Sequence, residues 1–194
     1  MNLEINDALI PGTRLKKSEM GNVTGLEFLS KVFFISEGVM LSQIREVSGI
    51  DGSTLQNWTK RGWVANARLK KYNIDQVAHI LIINMLRSCI QLDKIALLLQ
   101  YINGDIDDKS DDIIRDSQLY DYICRILDKL MAQDVCSMAS IKTVICEEIS
   151  GYQENIPGAS ERLANALEII IVAYYAALIK RRSDEMLTAL MNLR

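Results

Sequence analysis

The central part of this sequence, from residue 12 to residue 156, contains no proline. The 194 residues include two prolines, Pro11 and Pro157, and both lie outside the segments whose apolar residues recur with helical spacing. Because proline inside a helix removes a main-chain hydrogen bond and clashes with the preceding turn, long proline-free apolar stretches favour helices. Hydrophobic residues make up 49% of the chain, enough for a substantial core. We therefore predict an all-α fold.

Start and stop signals divide the chain into successive helices. Thr24 and Glu27 have the spacing of a capping box, and Gly49 and Gly62 are placed to end two short helices. The acidic run NGDIDDKSDD interrupts the pattern and is the best candidate for a domain boundary. The predicted helices cover 24–37, 41–48, 51–61, 73–88, 92–102, 111–133, 140–152 and 160–182, with a short tail to Leu193.

Charge is distributed unevenly along the chain. The whole sequence has 22 Lys and Arg residues against 25 Asp and Glu, a formal net charge of −3. Residues 43–72 hold six basic and two acidic side chains (6 − 2 = +4), and residues 73–194 hold twelve basic and eighteen acidic ones (12 − 18 = −6). A basic module on an acidic body is typical of a protein that meets a polyanion through one surface.

The basic segment contains GIDGSTLQNWTKRGW, residues 49–63. Gly49 supplies the positive φ that a tight turn between two helices needs, and Ile50 can fill the angle between them. Leu55 and Trp58, three residues apart, share one face of the second helix and can pack against the first. The predicted structural core of this motif consists of Leu41, Ile44, Val47, Gly49, Ile50, Leu55 and Trp58.

Polar and cationic side chains remain for the outer face of the second helix. In a helix-turn-helix this face lies in the major groove of DNA, where Gln and Asn bond adenine and Lys and Arg neutralise phosphates. Helical hairpins with a glycine turn are also common in all-α proteins that bind no DNA, so this segment alone leaves both interpretations open. The outer-face candidates are Ser53, Thr54, Gln56, Asn57, Lys60 and Arg61.

The sequence that follows carries a family resemblance. RGWVANARLKKYNIDQVAHILIINMLRSCIQLDKIALLL resembles the MerR family of bacterial transcription regulators, in which a helix-turn-helix precedes a short basic wing and two further helices. SGIDGSTLQNWTKRGWV is similar, without a gap, to that family's turn and recognition helix. The resemblance implies DNA contacts for Thr54, Gln56 and Asn57 on the recognition helix. For the wing it implies contacts from Arg68, Lys70, Lys71 and Tyr72.

Most of the chain also resembles an uncharacterised bacterial family defined as a domain of unknown function with a MerR-like DNA-binding domain. The similar runs are LSQIREVSGIDGSTLQNWTKRGWV, KKYNIDQVAHILIINMLR and LLLQYINGDIDDKSDDIIRDSQLY. This resemblance implies a helical extension over 1–38 and a MerR-like winged helix-turn-helix domain over 39–104. The remainder, 105–194, is expected to be a helical bundle for dimerisation or ligand sensing.

Enzymatic chemistry finds little support in the sequence. His79 is the sole histidine, and no Ser-His-Asp, Cys-His or glycine-rich phosphate motif can be assembled. The four cysteines form no CxxC pair, which favours buried thiols over a metal or redox site. The acidic run departs from a calcium loop at Lys109 and Asp116. We expect no catalytic residue, no metal and no cofactor.

The expected function is sequence-specific regulation of transcription by binding double-stranded DNA. The alternative is a protein–protein interaction module that reuses the helix-turn-helix scaffold. The helix from Leu163 to Ile179 is apolar around most of its circumference and requires burial inside a bundle or against a second chain. We expect a homodimer, because a two-fold dimer would place two helix-turn-helix motifs about 34 Å apart on one face of DNA. Tyrosines 120, 122, 152, 174 and 175 are compatible with a pocket for a small-molecule effector and equally with core packing.

The expected compartment is the cytoplasm. The first residues, MNLEINDALIPGTRLKK, lack the uninterrupted apolar stretch of a signal peptide. The most apolar run, Ile169 to Ile179, is 11 residues long, whereas a membrane span needs about 18.

Overall fold

The structure, a computed structural model, describes residues 9–33, 38–106, 108, 110–133 and 137–192. Within these ranges the chain forms eight α-helices, one short 3-10 helix and two strands of two residues each, so the all-α prediction is confirmed. The helices are α1 (Gly25–Phe33), α2 (Leu41–Ser48), α3 (Gly52–Lys60), α4 (Ile74–Leu86), α5 (Leu92–Asn103), α6 (Asp116–Ala132), α7 (Met138–Ile149) and α8 (Ala159–Met191).

The two strands place α2 and α3 beside the start of α4. Strand β1 (Val39–Met40) leads into α2, and β2 (Lys71–Tyr72) comes immediately before the N-cap of α4. They pair antiparallel, with Val39 opposite Tyr72 and Met40 opposite Lys71. Because each strand has two residues, the ladder links the segments before α2 and α4 and does not form a sheet with its own core.

Helix α4 is the centre of the molecule. Nine of its residues are buried, and it contacts α1, α2, α5, α6 and α8. The helix is apolar nearly all round, as a helix buried on several sides must be. One continuous hydrophobic core runs from α2 and α3 across α4 into α6, α7 and α8.

The N-terminus of α1 is capped from another helix. The Leu26 amide donates to Oδ1 of Asp121 on α6 at 2.8 Å. Thr24, predicted to start a capping box with Glu27, instead donates its hydroxyl to Oδ2 of Asp128 at 2.8 Å. Packing of α1 on α6 brings these carboxylates close, so tertiary contacts replace the local cap. Positions 34–37, predicted to complete this helix, lie outside the described residues.

Helix α6 begins at Asp116, five residues later than predicted. Ile113 and Ile114 are buried in the core before the helix starts, and the Ile114 amide donates to Oδ1 of Asn103 at the end of α5 (3.3 Å). The Ser117 amide donates to Oδ1 of Asp75 on α4 at 3.0 Å. Long-range acceptors therefore decide where this helix begins.

Helix α8 continues to Met191, beyond the predicted end at 182 and into the predicted tail, whose last position, 193, lies outside the described residues. By length and composition this helix is apolar enough to cross a membrane, since its most apolar 18-residue window has a mean hydropathy of 1.6. This corrects the expectation that the apolar run, 11 residues long, is too short for a membrane span. Half of that window is buried inside the protein, as in a core helix.

Candidate functional site

Helices α2 and α3 are joined by a tight turn at Gly49, whose φ is +73°. Ile44, Ile50, Leu55 and Trp58 are almost completely buried between these helices and α4. Leu41 and Val47, the other apolar residues predicted for this core, are half-buried and pack against it. Apolar contacts on both sides of the turn thus hold the outer face of α3 in a fixed orientation.

Asp51 caps α3 with an unusually complete set of hydrogen bonds. Its Oδ1 accepts from the Ser53 hydroxyl (2.6 Å), the Ser53 amide (2.8 Å) and the Thr54 amide (3.3 Å), and its Oδ2 accepts from the Thr54 hydroxyl (2.7 Å). These bonds, the two hydroxyls foremost, hold the pKa of the Asp51 carboxyl far below its usual range. The hydroxyl protons of Ser53 and Thr54 are therefore engaged, and only their oxygen lone pairs face a ligand.

The rest of the predicted outer face of α3 is at the surface. Gln56, Asn57 and Lys60 are exposed and share one side of the helix. Arg61, directly after the helix, is also exposed, and its guanidinium lies 5.0 Å from the centroid of the Trp63 ring. Two amides and two cations thus form one contiguous polar strip.

Residues 68–71 form a small hairpin beyond α3. The Arg68 amide donates to the Lys71 carbonyl (3.0 Å), and the Lys71 amide donates to the Arg68 carbonyl (2.9 Å). The two residues between them, Leu69 and Lys70, have φ of +49° and +62°, which is the pattern of a type I′ turn. Arg68, Lys70 and Lys71 are exposed, and Leu69 is 96% exposed. We call these four residues the hairpin tip.

Tyr72 is not placed with these cations. It is 8% exposed, and its side chain lies beside that of Thr59 on α3. Burial raises the pKa of this phenol. Tyr72 therefore anchors the base of the hairpin to α3 instead of facing outward, and it holds the hairpin tip close to the polar strip.

Two more arginines border this surface, and sequence reasoning missed both as site residues. The Arg14 amide donates to the Val47 carbonyl at 3.0 Å, and its guanidinium covers Gly49 so closely that a Cβ there would clash. Arg45 lies along the start of α3, with its Cδ 3.7 Å from the Cβ position of Gly52. Arg14 lies far from the motif in sequence and carries no local signal.

We define the basic surface as the exposed cations around α3 and the hairpin tip. Seven cations lie there with two exposed acidic residues from the same elements, Glu46 and Asp51, so the local charge is 7 − 2 = +5. Its cations are Arg14, Arg45, Lys60, Arg61, Arg68, Lys70 and Lys71.

Helix α4 ties this surface to the bundle. Nε2 of Gln76 donates to the carbonyls of Ala65 (3.3 Å) and Asn66 (2.9 Å). One turn further on, Nε2 of His79 bonds the Trp63 carbonyl at 2.9 Å. The polar side of α4 therefore holds the segment between α3 and the hairpin tip.

A cleft of about 1000 Å³ opens between this segment and the start of α6, and a cavity of about 450 Å³ adjoins it. Gln76, His79 and Asp116 line the cleft. The tyrosines considered for a ligand pocket do not line this cleft. The Tyr120 hydroxyl donates to the Pro11 carbonyl and the Tyr152 hydroxyl to the Ile113 carbonyl, both at 2.7 Å. Among the described residues, no group of three or more His, Cys, Asp or Glu side chains could hold a metal ion.

These features define an all-α protein with one basic surface around a short helix and a hairpin tip. The chain belongs to the family described as Domain of unknown function (DUF1836), which matches residues 27–123, half of its length. The match runs from α1 into α6 and so includes α2, α3, the hairpin tip and α4.

A relative of this chain is known in Bacillus subtilis (strain 168). It is the "Uncharacterized protein YkrK", 30% identical over 137 residues. The similarity covers 69% of this chain and 55% of that protein, so the chain spans little more than half the length of its relative. No solved structure matches the chain.

Proposed function

We propose that this protein is a sequence-specific DNA-binding regulator of transcription, in which α2, α3 and the hairpin tip act as a MerR-like winged helix-turn-helix. The observation that carries the proposal is the burial of Tyr72, which pairs with Val39 ahead of α2 and lies beside Thr59 of α3, so that the hairpin tip is anchored next to both helices. Helix α3 and the hairpin tip, which would contact neighbouring parts of the DNA, are thereby held in one arrangement.

The outer face of α3 has the size and chemistry for a major groove. An α-helix with its side chains is about 10–12 Å across, which fits a groove about 12 Å wide, and the nine residues of α3 offer about 13 Å of helix along it. Gln56 and Asn57 would meet base edges, and Lys60 and Arg61 the adjacent phosphates. The cations of the hairpin tip would bind the backbone on the far side of the groove.

The cap at Asp51 affects how α3 would meet a phosphate. A helix N-terminus normally attracts anions, but here the carboxylate of Asp51 already occupies the Ser53 and Thr54 amides. Arg14 and Arg45, which flank the start of α3, supply positive charge at this end instead. Phosphate contacts near the turn would therefore come from these arginine side chains.

The salt dependence of binding tests the proposal. In a fluorescence anisotropy titration with duplex DNA, replacing Lys70 and Lys71 by Ala should lower affinity for every sequence and reduce the slope of log affinity against log salt by about 2. The matched control replaces Lys94 and Lys142, exposed lysines of α5 and α7, and should leave the slope unchanged. Equal slopes for the two double variants would remove the hairpin tip from the interface.

Selection of bound sequences from random DNA tests specificity. Recovery of a recurrent motif would support a cytoplasmic regulator that recognises an operator. If the protein binds no duplex even at low salt, where phosphate contacts are strongest, the DNA proposal fails and the interaction module becomes the better explanation.

A further inference from the structure

Helix α8 has a second apolar face that the bundle does not cover. Its core face includes Leu163, Leu167 and Ile170, which are fully buried. On the opposite side of the helix, six positions follow one another at alternating spacings of four and three residues. We call them the outer stripe: Val172, Ala176, Ile179, Ser183, Met186 and Leu190.

The outer stripe has the pattern of a helix-pairing seam. At about 100° per residue its six positions stay within an arc of roughly 80°, as the a and d positions of a coiled coil do. Ile179 is 47% exposed, Met186 62% and Leu190 65%. Single exposed apolar residues are ordinary, but a continuous seam along about five turns of helix marks a contact surface.

The second half of the stripe lies on helix that the described part of the bundle leaves exposed. Every residue from 180 to 191 is exposed, although the segment is fully helical. An isolated helix of this length is marginal in water, because most helical stability in proteins comes from packing. A partner along the stripe would supply that packing.

The charges of this segment lie outside the stripe. Lys180 pairs with Asp184 at 3.0 Å, and Arg182 with Glu185 at 3.4 Å, within the same helix. A second helix can cover the stripe while these groups stay in water, so no charge must be desolvated. The net charge from 180 to 191 is only 3 − 2 = +1, which gives little attraction to an anionic membrane surface.

We propose that the outer stripe pairs with the same stripe of a second copy of this chain, the two α8 helices running antiparallel about a two-fold axis near residue 181. This register places Ala176 against Met186 of the partner subunit and Ser183 against Ile179 of the partner subunit. Small residues then face large ones, as dense packing requires. A parallel pairing would instead stack Ala on Ala and Ser on Ser, and leave both layers underfilled.

The outer stripe is distinct from the apolar face that the bundle covers. The helix from Leu163 to Ile179 was expected to be buried inside a bundle or against a second chain, and its core face is buried by the other helices of the same chain. The outer stripe begins at Val172 within this region, on the opposite side of the helix, and continues to Leu190. The proposal does not depend on DNA binding.

Sedimentation equilibrium of the full chain tests the pairing. The wild-type protein should have the mass of a dimer, and a variant with Met186→Glu and Leu190→Glu should have the mass of a monomer with unchanged helix content. Leu97→Glu is the matched control, because Leu97 is a 63% exposed leucine on α5, and it should stay dimeric. A monomeric wild type, or a dimeric double variant, would overturn the proposal. Monomers that co-sediment with phosphatidylglycerol vesicles would assign the stripe to a membrane surface instead.

Cysteine cross-linking tests the antiparallel register. Ala176→Cys and Met186→Cys are introduced together after Cys89, Cys136 and Cys146 have been replaced by Ser. Ten residues of helix separate the new thiols by about 15 Å, too far for a disulfide within one chain. Oxidation should therefore give a covalent dimer of the double variant, whereas the single variant Ala176→Cys should form no covalent cross-link. Cross-linking of Ala176→Cys alone would show the parallel arrangement and refute the register.

Discussion

Nδ1 of His79 lies 3.2 Å from Oδ2 of Asp116, which brings α4 against the first turn of α6. The other ring nitrogen, Nε2, lies 2.9 Å from the Trp63 carbonyl, and since a carbonyl only accepts, Nε2 donates. His79 is 9% exposed. One buried side chain therefore links the segment that follows α3 to the helical bundle.

Replacing His79 by Ala should destabilise the fold. The change leaves the Trp63 carbonyl without its donor, at a cost of about 1–3 kcal/mol for a buried polar group. Urea unfolding followed by circular dichroism measures the loss. Gln100→Ala, at an exposed position of α5, is the control and should change little. Equal midpoints for the two variants would show that the His79 contacts contribute nothing to stability.

Replacing Asp51 by Ala should lower the melting temperature in a pH-dependent way. Hydrogen bonds from Ser53 and Thr54 depress the pKa of Asp51 in the folded protein below its ordinary value of 3.8. Its stabilising contribution is therefore present above that value and is lost as the pH falls below it toward the folded pKa. The deficit of the variant relative to wild type should be constant near neutral pH and shrink in acid. A deficit that does not change down to about pH 2.5 would contradict this assignment.

Replacing Gln56 by Ala should weaken discrimination among DNA sequences more than it weakens DNA binding itself. A bidentate contact to one base contributes about 1–3 kcal/mol of preference over the wrong base, whereas phosphate contacts are insensitive to sequence. Competition titrations with single-base variants of a selected site measure this preference. Gln100→Ala removes the same side chain from α5 and should retain every preference. A Gln56 variant with an unchanged profile would place α3 outside the major groove.

Replacing Leu69 by Gly should stabilise the fold by about 0.5–1 kcal/mol, because a positive φ costs glycine nothing and strains other residues. Leu69→Ala removes the same side chain but keeps the strained φ of +49°, so its stability should stay near wild type. Thermal unfolding of the two variants separates backbone from side chain. If both variants behave alike, the turn is not strained. DNA affinity should fall in both if the exposed leucine enters a groove.

The cysteines should differ sharply in reactivity. Cys89 and Cys146 are exposed, whereas Cys124 is buried, and burial raises the pKa of its thiol to about 12. With Cys136 replaced by Ser, a maleimide should modify two sites in the native protein and a third only in denaturant. Mass spectrometry of the labelled peptides checks this. Rapid native labelling of Cys124 would mean that α6 opens readily. The exposure of two cysteines corrects the expectation that all of them are buried.

The short-range features of the fold were accessible from sequence. Helix α2 was predicted with its observed limits, and the caps of α3 and α4, Asp51 and Asn73, are the first residues of the helices predicted there, because capping depends on neighbours in the chain. Helix α1 begins directly after Thr24, as predicted, whereas α6 begins five residues later than predicted. The carboxylates at these two helix starts come from Asp121 and Asp75, which are distant in sequence and become neighbours only when the helices pack.

The candidate site also has one part that the sequence predicts and another that only packing decides. Gln56, Asn57 and Lys60 share a face of α3 because helical geometry alone puts them there. The family resemblance implied a DNA contact for Tyr72, but its ring is buried and lies beside Thr59. The resemblance implied a wing without showing that one of its residues anchors it.

Sequence alone determined the helical class, the turn at Gly49 and the polar strip of α3, since each depends on residues within a few positions of one another. Tertiary structure decided that Arg14 joins the basic surface and that His79 links α3 to the bundle. It also decided that the outer stripe of α8 stays uncovered. These outcomes depend on which helices pack together. Apolar periodicity determines which face of a helix is buried, but it does not determine which helix covers that face.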